Sequence, residues 1–168
     1  MGMEAFVKIV SKQTSSKMCF VCGVDNPISL GAHFYNMEDG SVMTKLKFKE
    51  VHQSFPNRVH GGLITTILDE LSLRAYWVKE PKVLGVTMSM ETKFRKPLPY
   101  DVEVIGKALV EKETSRLIIT KACLMDENGT VYADATINLM KMPMEKVTDI
   151  NFDEELCIAD DPHHPVEI

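Results

Sequence analysis

The chain has 168 residues, of which 45% are hydrophobic and 26% charged, and a net charge of -5. That is the size of one domain with a core of its own. The acidic balance argues against a general nucleic-acid binder, which needs clustered Lys and Arg against phosphates. No apolar run reaches the roughly 18 residues of a membrane span, and the opening MGMEAFVKIVSKQTSSK lacks the apolar stretch of a secretory signal.

In chain order, the first motif is Cys19-x-x-Cys22-Gly. Thiolates at that spacing chelate zinc or form a redox pair, but a zinc site needs four ligands, and Cys123 and Cys157 are isolated. Completing a site would take a second copy of the chain, or His163 and His164. Buried reduced thiols are the simpler expectation, with no metal and a cytoplasmic location. Residues 41 to 49 alternate, with Val42, Thr44, Leu46 and Phe48 on one side and Met43, Lys45, Lys47 and Lys49 on the other, which predicts a half-solvated strand. After a loop containing Pro56 and Asn57, a 3.6-residue period runs from about residue 61 to 79, and Pro81 stops it.

Four β-biased segments follow, at 86–94, 101–113, 115–126 and 130–142, joined by turn sequences that make sequential antiparallel pairing natural. Only one helix lies among about five strands, which excludes a doubly wound sheet. The expected class is α+β, a curved antiparallel sheet wrapped around one central helix. Residues 1–142 form this domain with its cysteine-containing lead-in, and 143–168 are an acidic extension with one short helix at about 152–158.

On a helical wheel Ile64, Ile67, Leu68, Leu71, Ala75 and Val78 make the stripe that faces the sheet, while Glu70 and Arg74 point away as an exposed i,i+4 pair. Asp69 lies on a flank shared with Gly62, Thr65, Ser72 and Tyr76, small and polar residues beside the core. A carboxylate on such a seam is either a satisfied structural group or a functional one. Gly61 and Gly62 are poor helix interiors, but at a first turn they leave N–H groups open to close approach, at the dipole end that suits a developing oxyanion. A tight loop-to-helix turn is the alternative. Lys93, Arg95 and Lys96 gather positive charge before Pro97; they fit a phosphate or a solvated strand end equally well.

The stretch VHGGLITTILDE resembles the helix signature of hotdog-fold acyl-CoA thioesterases of the PaaI-like type, in which HGG opens the central helix and an Asp follows nine residues after the His. FRKPLP and the upstream CFVCGVDNPISLG extend the likeness to about residues 18–142. The resemblance implies hydrolysis of acyl-CoA to free acid and CoA without a cofactor. In it Gly61 N–H holds the thioester carbonyl and Asp69 serves as general base or nucleophile. Thr87 orients water, and His60 supports the loop. For the polar position that relatives fill before HGG this chain offers Gln53 or Ser54, and Asn57 stands where they often have a small residue; these, with Gly62, are the candidate thioester contacts, and the basic trio is the candidate contact for the CoA phosphates. Donor and carboxylate would come from different subunits of a homodimer, or of a dimer of dimers.

Two other readings bear on the same residues. His52 before the helix suggests a hotdog dehydratase, but the helix position that would carry its Glu holds Thr66 or Ile67. A non-catalytic acyl-CoA sensor would leave Asp69 unused.

Overall fold

The computed structural model describes residues 7–157. The acidic tail from 158, with His163 and His164, lies outside the described residues. Nine strands and one long helix follow in the order β1 (Ile9–Lys12), β2 (Ser15–Ser16), β3 (Tyr35–Met37), β4 (Val42–Lys47), α1 (Gly61–Trp77), β5 (Leu84–Phe94), β6 (Glu103–Glu113), β7 (Leu117–Met125) and β8 (Val131–Met142). A short helix α2 (Phe152–Glu155) and β9 (Leu156–Cys157) complete the described chain. None of its helices is long and apolar enough to cross a membrane.

The main sheet is antiparallel and seven-stranded, in the order β1-β3-β4-β6-β7-β8-β5. Strictly sequential pairing is therefore corrected. β5 lies against β8, and β4 lies against β6. The reason is the helix, which occupies the space between β4 and β5 and carries the chain across the sheet, so that β5 starts at the far edge. β4 alternates as its sequence requires, with Val42, Thr44 and Leu46 buried and Lys47 exposed. Along α1, Ile64, Ile67, Leu68, Leu71 and Ala75 are buried and join Val104, Ile118, Leu124, Ile137 and Leu139 in one core. Each such Leu or Ile contributes roughly 1.5–3 kcal/mol through burial.

The expectation of an exposed Glu70–Arg74 pair is also corrected. The pair forms, with Arg74 Nε 2.8 Å from Glu70 Oε1, but Arg74 is only 2% exposed. A single-helix wheel treats the face away from the sheet as solvent, whereas here the lead-in covers that face. Val21, Cys22, Leu30, Ala32 and Phe34 are buried there. Arg74 donates to Thr14 O at 2.6 Å and to Cys22 Sγ at 3.0 Å, and its guanidinium sits 4.7 Å from the Phe34 ring and 4.6 Å from the Trp77 ring. Gln13 Nε2 donates to the Arg74 carbonyl at 2.9 Å. The extension also returns to the lead-in: the expected helix at 152–158 ends at Glu155, and Leu156–Cys157 then pairs with Ser15–Ser16.

Candidate active site

The first turn of α1 is built by His60. As N-cap it has extended backbone, and its Nδ1 accepts the Gly62 N–H at 2.9 Å. A Cβ on Gly62 would lie 2.9 Å from that same nitrogen, so glycine is required for the ring to fold back over the turn. Leu63 and Ile64 N–H groups both go to the His60 carbonyl. The Gly61 N–H finds no acceptor among the described residues. One amide at the positive end of the helix is thereby left to face outward.

What it faces is a cleft of about 410 Å³ lined by Ser54, Phe55, Arg58, Gly61, Phe94 and Lys96, with Arg95 also on its wall. A Cβ at Gly61 would meet the Phe94 ring in ordinary contact at 3.4 Å, so the bare glycine leaves that space at the mouth free. Phe55 and Phe94 are both largely exposed there and form an apolar rim. The positive trio divides. Arg95 is committed to Asp134, with Nε 2.5 Å from Oδ2 and Nη2 3.2 Å from Oδ1, and Lys93 leans on Glu91 at 3.4 Å. Lys96 has no ion-pair partner among the described residues and lines the cleft. Gln53 bridges to Val59 beside it, and Asn57 takes a left-handed backbone with φ of 60° at the exposed loop tip.

Asp69 is half-buried on the helix flank, and Thr87 Oγ1 donates to its Oδ1 at 2.6 Å. β5 makes this possible by a bulge. Its pairing with β8 shifts register between Thr87 and Ser89. Thr87 is paired with Leu139, whose side chain is buried beneath the helix, and beyond the shift Met90, Thr92 and Phe94 pair with Ile137, Ala135 and Ala133. Without the extra residue, strict alternation would put Thr87 on the opposite face from Met90. The bulge keeps both on the helix side, and β5 is at the sheet edge, where the helix flank comes within reach. A sequence alternation pattern carries no sign of a bulge, so the residues alone gave no notice of it.

Asp69 and the Gly61 amide do not share a site within one chain. They are eight residues apart on α1, about 12 Å at 1.5 Å of rise per residue. His52 is occupied structurally: its Nδ1 accepts the Lys49 N–H at 3.0 Å, its ring meets Phe48 edge-on, and burial pushes its pKa down. Of Thr66 and Ile67, the two residues set against the dehydratase Glu, Thr66 donates its hydroxyl to the Gly62 carbonyl and Ile67 is buried in the core.

A long helix cradled by a curved antiparallel sheet, with a capped double-glycine start, defines the hotdog class. Residues 57–133, which hold α1 and the strands after it up to the start of β8, match the model of the thioesterase superfamily. It is 27% identical over 88 residues to human acyl-coenzyme A thioesterase 13, a match covering 52% of this chain and 63% of that one. Among solved structures, a thioesterase superfamily protein superposes with a TM-score of 0.69 at 22% identity, covering 74% of this chain and 60% of the other. A hypothetical thioesterase of Streptococcus pneumoniae, solved with coenzyme A, superposes with a TM-score of 0.61 at 18% identity, covering 67% and 89%. The chain thus spans less than two thirds of the human relative and of the first of these structures.

Proposed function

We propose that the protein is an acyl-CoA thioesterase acting as a homodimer, or as a dimer of dimers, in the cytoplasm. The observation that carries the reading is the 2.6 Å hydrogen bond from Thr87 to the Asp69 carboxylate on the seam beside the core. A thioester needs two things to hydrolyse: a donor for the oxygen that becomes an oxyanion, and a base for the attacking water. The unpaired Gly61 amide supplies the first, and Asp69 supplies the second, with the Thr87 hydroxyl holding the carboxylate and water in line. His60 prepares the donor by taking the Gly62 N–H for itself. In this reading Ser54, Gln53 and Asn57 border the thioester from the preceding loop, and Lys96 meets the CoA phosphates with Arg95 and Lys93 behind it.

The separation of about 12 Å along the helix supports a site made by two chains, the carboxylate of one reaching the glycine turn of the other. The free edge of β5 carries Val86 and Met88, both exposed apolar side chains, on a strand with unpaired backbone groups. Such an edge is a ready site for pairing with a second copy. The names of the human relative and of the CoA-bound structure agree with a CoA thioester as substrate. Four cysteines in a chain of 168 residues do not make a disulfide framework, which fits a reducing compartment.

The test is a panel of acyl-CoA thioesters with a thiol-trapping reagent, run on the wild type and on Asp69→Asn beside a CoA-binding measurement. The expected result is turnover by the wild type, a loss of about 100-fold or more in the variant, and unchanged CoA binding. Binding without turnover in both proteins would overturn the hydrolase and favour a sensor.

A further inference from the structure

The cysteine pair of the lead-in does not line the candidate active-site cleft, yet its turn is tightly wound. Cys19 Sγ accepts the backbone N–H groups of Val21 at 3.3 Å and of Cys22 at 3.4 Å. The Gly23 N–H closes the turn onto the Cys19 carbonyl at 2.8 Å, and a Cβ at Gly23 would stand 2.3 Å from that oxygen. Only glycine fits a turn wound so tightly. Cys19 is partly exposed, whereas Cys22 is 1% exposed and receives the Arg74 guanidinium. The two sulfurs and a Glu70 carboxylate oxygen lie within 4.8 Å of one another.

A metal is the first thing such a cluster suggests, and Arg74 argues against it. Its guanidinium touches Cys22 Sγ at 3.0 Å and Glu70 at 2.8 Å, so the cationic place among these groups is already taken. Three donors also fall short of a closed zinc site. What remains is two neighbouring sulfurs, the buried Cys22 taking an Arg74 N–H at 3.0 Å and Cys19 taking the two turn amides. The Cys22 thiol's hydrogen bond holds Cys19 down to about 6, and the same bond, with burial, pushes Cys22 up. These shifts favour the thiolate at the partly exposed sulfur and the thiol at the buried one, which is the division of labour of a nucleophilic and a resolving thiol.

We propose that Cys19 and Cys22 form a reversible dithiol–disulfide site whose reactant is a low-molecular-weight disulfide. The Cys19 thiolate attacks one sulfur of that disulfide and expels a thiolate, leaving a mixed disulfide on Cys19. Cys22 then attacks the Cys19 sulfur as its proton passes to the second leaving thiolate. The protein pair is oxidised by two electrons and the small disulfide is reduced to two thiols. Nothing in this step depends on Asp69 or on the thioesterase reading.

Incubating the full chain with glutathione disulfide, followed by non-reducing peptide mapping, tests the site. In the wild type a Cys19–Cys22 bond should form and a dithiol reductant should reverse it. Cys22→Ser should stop at a stable glutathione adduct on Cys19. Iodoacetamide at neutral pH should alkylate Cys19 about tenfold faster than Cys123, whose thiol burial pushes up. The proposal is overturned if the wild type keeps both thiols, or accumulates the adduct without an internal bond. It is overturned equally if the purified protein carries stoichiometric zinc that shields the pair. The wild-type map is decisive by itself, so the proposal stays open to refutation even if the Cys22→Ser chain fails to fold.

Discussion

Arg74→Met keeps most of the side chain's length and removes its charge from the middle of the molecule. Five groups lose a contact at once: Glu70, the Thr14 carbonyl, the Cys22 sulfur and the rings of Phe34 and Trp77. Removing one member of a buried ion pair costs about 3–5 kcal/mol. The Glu70 side chain is 19% exposed and keeps some water, which places the ion-pair loss at the lower end, about 3 kcal/mol. Each lost cation–π contact adds about 0.5–2 kcal/mol, partly offset by the apolar packing of the methionine. For a domain of this size 1 kcal/mol moves Tm by about 2–4 °C, so a drop of about 10 °C is expected in thermal denaturation. Introduced into Glu70→Gln, the same change should cost about 1–2 kcal/mol less, since no charge is then stranded. A loss below about 1 kcal/mol, or the same loss in both backgrounds, would refute the idea that this arginine pins the lead-in to the helix.

Other expectations follow from single contacts. Thr87→Val deletes a hydrogen bond to a charged group and should lower kcat about tenfold or more with a smaller change in KM; an unchanged kcat would remove Thr87 from the chemistry. Lys96→Glu should raise KM for acyl-CoA several-fold, most strongly at low salt, whereas Arg95→Gln should do less, because Arg95 is already neutralised by Asp134. Glu113 is held down to about 2 by Lys141 and Lys79, with the Tyr76 hydroxyl adding to it. Its stabilising effect is thus complete above pH 4.5, the ordinary value of the carboxyl, and is lost as pH falls toward 2. Glu113→Gln should flatten the fall of Tm across that window, which a pH series of melts would measure.

Periodicity made the central helix, the alternating face of β4 and the four later strands legible, because each buries one side against a neighbour close in sequence or in the sheet. Strand order was less accessible, since the placement of β5 beside β8 depends on where the helix sets the chain down. The cover over Arg74 was hidden for a related reason: the lead-in has only short strands and an irregular turn, so no repeat signals that it packs on the helix. Within the candidate site, the helix flank and the glycine turn could be read from a wheel and a motif, and Thr87 entered through the family likeness. The bulge that turns Thr87 toward Asp69 and the pairing of Arg95 with Asp134 arise from cross-strand register, to which a single sequence is blind.

A mixing experiment reaches the central claim directly. Gly61→Pro removes the unpaired amide of the first turn of α1 while suiting a first helical position, and the extended backbone of His60 accepts a following proline. Alone, this variant and Asp69→Asn should each lose about 100-fold or more in kcat. Unfolded together and reassembled in equal amounts, they should regain about a quarter of wild-type activity, since half the dimers are mixed and each mixed dimer holds one intact site. Activity no higher than that of the separate variants would contradict a carboxylate and an oxyanion donor contributed by different chains.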